Sequence, residues 1–308
     1  MNDVRPAAVA GSWYPGTAER LARDVDAYLS AARVDGMPTP MALVAPHAGL
    51  RYSGPVAAFA YRTVAPSHPA PSHPAPSHPA PSHPGTAAPS PPRTLAPSPY
   101  SSIVLVGPSH FVGFDGVSVW PRGAWETPFG PVAIDEPLAS AIAAATPVVV
   151  EHPAAHAREH SLELQMPFIA HLCPGVPIVP LVMGHQRRTT AFALGDALAR
   201  VISDRAQTGA GRVLLIASSD LSHFHDASVA AAMDAVVMER VAQLDPDGLM
   251  AQLEEEPHHA CGGGPIVAVL RAARQLGAAQ ARVLKYADSG DISGDKSSVV
   301  GYMAAAIW

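Results

Sequence analysis

Four short apolar runs, Met41–Ala45, Ile103–Val106, Ile178–Val182 and Val213–Ala217, constrain this chain more than any other feature. Each is continuous rather than alternating, so both faces of the strand it forms would be apolar. Strands of that kind belong inside a largely parallel sheet covered on both sides. Helical patterns lie between or after them, at Ala18–Ala32, Val56–Tyr61, Ser161–Leu172, Thr190–Ile202 and Ala227–Leu244. The alternation predicts an α/β fold with a mostly parallel mixed sheet and helices on both faces. Val117–Trp120 and Val132–Ile134 flank a turn region and read as a side hairpin. Ala281–Ala287 and Ser298–Ile307 read as strands joined by the polar loop Asp288–Lys296. With 48% hydrophobic residues the chain can fill a sizeable core, and we expect one domain over residues 1–308.

One stretch cannot join that pattern. Ala65–Pro84 is four tandem copies of Ala-Pro-Ser-His-Pro, followed by a looser Pro/Ser-rich tract to about Pro99. Proline fixes φ and removes a backbone donor, so neither helix nor central strand is expected there. We read residues 65–99 as a disordered insertion within the domain. His68, His73, His78 and His83 invite a metal-binding reading. A duplicated linker accounts for them better, because a disordered tract does not hold ligand geometry.

Several function classes are disfavoured. Twenty Lys and Arg residues are scattered without a basic block, and the net charge is −6, so nucleic-acid binding is not expected. The first residues lack the apolar core of a secretory signal, and no stretch stays apolar over the roughly 18 residues a membrane span needs. A soluble, cytoplasmic protein without membrane partners is expected. Cys173 and Cys261 do not make a disulfide framework in such a compartment.

The chemistry sits at strand ends. Ala42-Leu-Val-Ala-Pro-His47, Ile103-Val-Leu-Val-Gly-Pro-Ser-His110 and Val213-Leu-Leu-Ile-Ala-Ser-Ser-Asp220-Leu-Ser-His223 each finish on a histidine. In open parallel sheets ligands bind beyond the carboxyl ends of the strands, and imidazole is a common ligand for borderline transition metals. A lone strand-end histidine is more often a loop hydrogen-bonder. Three in equivalent places point to one shared metal pocket, with all three as equal candidates. The segment His258-His-Ala-Cys261-Gly-Gly-Gly-Pro265 precedes an apolar helix starting near Ile266. There the helix dipole would favour a thiolate, although a small buried residue explains Cys261 equally well. Cys173 reads as structural. His160 and Glu163 are three apart and share a helix face, as a supporting pair, an acid/base pair or a cap. Ser218, Ser219 and Ser222 lie near Asp220 and His223, but no G-x-S-x-G turn presents a hydrolase nucleophile.

Further motifs extend these segments. They are Arg5-Pro-Ala-Ala-Val-Ala-Gly-Ser-Trp-Tyr-Pro15, Ala45-Pro-His-Ala-Gly49 with Tyr52-Ser-Gly-Pro55, Gly107-Pro-Ser-His110, Glu159-His-Ser-Leu-Glu163, Ser218-Ser-Asp-Leu-Ser-His223, Ala260-Cys-Gly-Gly-Gly-Pro265 and Ser289-Gly-Asp-Ile-Ser-Gly-Asp-Lys-Ser-Ser-Val-Val-Gly-Tyr302. In these the chain resembles the Memo family, whose bacterial and archaeal members are called AmmeMemoRadiSam system protein B. The Pro/His repeat has no counterpart in that pattern. The resemblance implies the fold of class III extradiol dioxygenases, non-haem iron enzymes with a site of two histidines and a carboxylate. In the Memo family the site is two histidines and a cysteine. Carried onto this chain, the ligands would be His47, His110 and Cys261. Asp220 and His223 would line the pocket, with His223 as acid/base oriented by Asp220. His160 would stand close by as a further catalytic candidate, and Trp13 and Tyr14 would wall a substrate pocket. The implied cofactor is a transition metal, Fe(II) first, with copper admitted by the soft thiolate.

Two functions follow from that resemblance. One is a metal-dependent redox enzyme resembling non-haem dioxygenases, on an unknown substrate. The other is a non-enzymatic module holding a peptide, a small molecule or a metal ion in the same cleft. The system name adds a radical-SAM protein as a partner. Two departures stand out: Gln165, where some members carry histidine, and Phe224 followed by His225 after His223. Neither is expected to touch the ligands.

Overall fold

The computed structural model describes residues 3–34, 36–64 and 98–308. The expected disordered insertion, apart from Ser98 and Pro99, lies outside the described residues. In chain order the strands are β1 (Val4–Arg5), β2 (Ala42–Ala45), β3 (Tyr100–Pro108), β4 (Val117–Val119), β5 (Ala124–Trp125), β6 (Val132–Ala133), β7 (Val149–Val150), β8 (Ile178–Met183), β9 (Arg212–Ser218), β10 (His223–His225), β11 (Ala281–Asp288) and β12 (Val299–Ile307). The helices are α1 (Ala18–Ala31), α2 (Leu50–Arg62), α3 (Glu136–Ala145), α4 (Pro153–Ala157), α5 (Met166–Leu172), α6 (Arg188–Gln207), α7 (Ala227–Ala242), α8 (Pro246–Glu255), α9 (Gly263–Gln275) and α10 (Gly290–Ser293).

The four apolar runs become the parallel heart of a mixed sheet, in the order β2-β9-β3-β8. Every residue of β2 and β8 is buried, and so is every residue of β9 after Arg212. Such strands need cover on both faces. Helix α9 packs on β2, β9 and β3, α6 packs on α9, and α2 packs against β2, β12 and β11. The flanks pair antiparallel: β12 on β2, β10 and β11 on β12, and β4 on β8. The strands expected near the C-terminus are therefore β11 and β12.

Three local expectations change. The side hairpin does not form: β4 joins the large sheet beside β8, while β6 pairs with β5 in a small sheet that β1 completes. The open edge of β8 captures β4, which leaves β5 and β6 to pair with each other. Helix α2 starts at Leu50 rather than Val56, and Gly54 lets it cross α1, because a Cβ there would come within 2.7 Å of the Tyr28 ring. The pattern expected as one helix over Ser161–Leu172 divides into a 3-10 turn, Glu163–Gln165, and α5. Pro167 suits the first turn of α5, where its missing N–H costs nothing. Among the described residues no helix is long and apolar enough to cross a membrane.

Candidate metal centre

Because β2, β9 and β3 are parallel neighbours, their carboxyl ends open on one edge. His47, Asp220 and His110 each stand two residues beyond those strands, and the fold brings them together. Cys261 arrives from the loop ahead of α9. Its amide donates to the Asp220 carbonyl at 3.2 Å, and the Asp220 amide donates back to Sγ at 3.2 Å. Gly262 permits this approach: a Cβ there would collide with the Ser218 carbonyl and lie 2.8 Å from Ser219 Cβ. Cys261 Sγ ends 3.2 Å from His47 Nε2.

Three imidazoles converge. Ligand atoms of His47, His110 and His160 all lie within 4.8 Å of one another and could hold a metal ion. The His110 and His160 rings stack at 4.5 Å, and His47 meets His110 edge-on at 5.3 Å. Trp13 lies against His160 at 4.4 Å between ring centres and is 40% exposed. Phe111, 51% exposed, approaches His160 from another side at 5.8 Å. A cavity of about 290 Å³ opens beside Cys261, lined in part by His185, Gln186, Met250 and Leu253.

Ring orientation comes from buried partners. Glu159 Oε1 accepts from His110 Nδ1 at 2.8 Å, and Oε2 accepts from the His110 amide at 2.6 Å. The same carboxylate also accepts from the amides of His160 and Ser161 at 2.9 Å. Burial works against its charge, but these donors prevail and hold its pKa down to about 2. His47 Nδ1 lies 2.9 Å from Ser218 Oγ. Burial first, then the neighbouring histidines, push the His47 pKa well below its ordinary value. Burial also lowers His160 to about 4. Both rings are neutral near pH 7, as metal ligands must be.

Several expected roles change. Asp220 does not orient His223. Its Oδ1 turns back to accept from the amides of His47 and Ala48 at 2.7 and 3.2 Å, while His223 Nδ1 donates to the Leu221 carbonyl at 2.8 Å. Burial raises the Asp220 pKa to about 7 against those two amide donors. Glu163 does not pair with His160. It takes Arg5 at 2.7 Å, the Tyr14 hydroxyl at 2.8 Å and the amides of Ala8 and Val9. Tyr14 is therefore a buried anchor rather than a pocket wall, whereas Trp13 is exposed and lies against His160. Burial, then the Asp220 charge, raise the Cys261 thiol pKa. The expected helix-dipole lowering is outweighed, since Cys261 lies outside the N-cap Gly262. Cys173 is buried at the end of α5, as expected. Glu159, Gln165 and Ser218 escaped assignment from sequence; for Glu159 the only signal was its place beside His160.

The profile of the Memo-like protein family matches residues 5–72 and 78–306. It leaves out only residues 73–77 of the Pro/His repeat, where no counterpart to the whole repeat was expected. Among curated proteins, MEMO1 family protein MTH_45 of Methanothermobacter thermautotrophicus is 34% identical over 97% of this chain and 98% of its own. MEMO1 family protein MJ0403 of Methanocaldococcus jannaschii is 32% identical over the whole of both chains. Among solved structures, uncharacterized protein JW3007 from Escherichia coli K12 aligns over 67% of this chain and 86% of its own, at 16% identity and a TM-score of 0.45, too loose a likeness to bear on function. Strand-end histidines, the Cys261 loop and the supporting carboxylates all lie within the matched span, and the chain belongs to the Memo-like protein family.

Proposed function

We propose that this protein binds a transition metal through His47, His110 and Cys261 and uses it in a redox reaction resembling those of non-haem dioxygenases. Fe(II) is the first choice, and copper is the second because thiolate softens the donor set. Two observations carry the proposal: ligand atoms of His47 and His110 lie within 4.8 Å of each other and of His160, and the Cys261 thiol lies 3.2 Å from His47 Nε2. The residues suit a metal. The His47 and His110 rings are anchored through Nδ1, which leaves Nε2 of each for coordination.

When bound, the metal would supply Lewis-acid polarisation and electron transfer. The protein's own part is to bind, orient and handle protons. His223, its Nδ1 tied to the Leu221 carbonyl, and neutral His160 are the groups to hold or move a proton. Trp13 and Phe111 would border the bound substrate. Freshly purified protein should contain stoichiometric iron or copper, lost in His47→Ala and Cys261→Ser. Absence of any transition metal, with none taken up on addition, would remove the proposal.

Exposed Trp13 and Phe111, both against His160, support a second reading, a module that holds a peptide or small ligand in the same cleft without turnover. Metal retained without O2 consumption, together with a bound partner, would favour it. A radical-SAM partner protein rests on the family resemblance alone.

A further inference from the structure

We infer that Gln165 and Ser218 form a relay that fixes the His47 proton on Nδ1 and leaves Nε2 bare toward Cys261. Its purpose rests on the proposed metal site; the proton placement does not.

The relay can be solved atom by atom. Gln165 Nε2 lies 3.0 Å from the Pro46 carbonyl, which only accepts, so the amide nitrogen rather than the oxygen faces it. Gln165 Oε1 accepts from the Tyr61 hydroxyl at 2.8 Å. The second amide hydrogen goes to Ser218 Oγ at 2.7 Å. Ser218 donates its single proton to the Ser161 carbonyl at 2.6 Å. One of its lone pairs receives Gln165, and the other faces His47 Nδ1 at 2.9 Å. A hydroxyl whose proton is committed can only accept there, so Nδ1 carries the hydrogen. Tyr61, Ser161, Gln165, Ser218 and His47 are each 1% exposed or less, which denies them alternative partners from bulk solvent. The bare Nε2 then meets Cys261 Sγ at 3.2 Å, where it accepts from the thiol or serves a metal.

Gln165 was not expected to reach the ligands. It reaches His47 twice, through Ser218 and through the Pro46 carbonyl that precedes the histidine. Both Gln165 and Ser218 are positioning residues, since neither touches the metal position.

The test is long-range 1H–15N NMR of histidine side chains in chelator-stripped protein near pH 7, paired with anaerobic Fe(II) titration. Wild type should show His47 protonated on Nδ1 and bare on Nε2. Ser218→Ala should lose that preference and bind Fe(II) about 10–100-fold more weakly, and Ser218→Thr, which keeps the hydroxyl, should restore both. A wild-type His47 protonated on Nε2 would overturn the relay, as would a folded Ser218→Ala with unaltered tautomer. Should Ser218→Ala fail to fold, the wild-type spectrum decides. An Nδ1-protonated His47 in protein that takes up no Fe(II) would support the relay and sink only the metal proposal.

Discussion

Cys261 Sγ lies 3.2 Å from His47 Nε2 although 214 positions separate the two residues. Burial, then the Asp220 charge, keep that thiol protonated, so a metal ion would have to displace the proton. Fe(II) affinity should therefore rise with pH, by about tenfold per unit for one released proton. Anaerobic titrations across neutral pH would measure the slope, and Cys261→Ser should flatten it. The same slope in both proteins would show that Cys261 is not a ligand.

A buried ion pair anchors the N-terminal segment that carries Trp13. Arg5 and Glu163 are 1% and 0% exposed at 2.7 Å, and Arg5 also lies over the Trp125 ring and donates to the carbonyls of His156 and Glu159. Removing one partner strands the other charge in the core. Glu163→Ala should cost about 3–5 kcal/mol in denaturant unfolding. A loss below about 1 kcal/mol would mean that the pair is solvated in practice.

Acid should weaken the fold before carboxylates titrate. His156 is fully buried, and burial, then Arg5, lower its pKa from 6.5 to about 3. With the folded value below the unfolded one, the unfolded chain takes up the proton first. The contribution is therefore complete above pH 6.5 and is lost as pH falls toward about 3. Its slope is at most about 1.4 kcal/mol per pH unit. Unfolding free energies measured over that range should fall less steeply in His156→Gln; an unchanged slope would point to other groups.

Gly262 sets how closely the Cys261 loop approaches β9. Gly262→Ala must shift backbone, since a Cβ meets the Ser218 carbonyl. We expect a loss of about 1–3 kcal/mol from overpacking and faster reaction of Cys261 with a thiol reagent. Labelling at the wild-type rate would show that the loop holds its place without the glycine.

Much of this architecture is written locally. Continuous apolar runs demanded strands covered on both faces, and β2, β9, β3 and β8 are those strands. Once three of them run parallel side by side, residues just past their ends must share an edge, which is why His47 and His110 could be placed together from sequence. Periodicity says nothing, however, about which edge a short strand will find, and β4 and β6 separated for that reason.

Hydrogen-bond partners were the least legible part. Asp220 is three residues from His223 yet serves the His47 amide, and Glu163 is three residues from His160 yet serves Arg5. Gln165 meets Tyr61 across 104 positions, and Ser218 meets His47 across 171. Sequence by itself determined the parallel sheet, the edge where His47 and His110 meet and the residue types gathered there, because burial and strand direction are properties of each segment. Only the tertiary structure decided which carboxylate, hydroxyl or amide holds which ring, because that choice is made among atoms within about 3 Å that separate segments bring to one point.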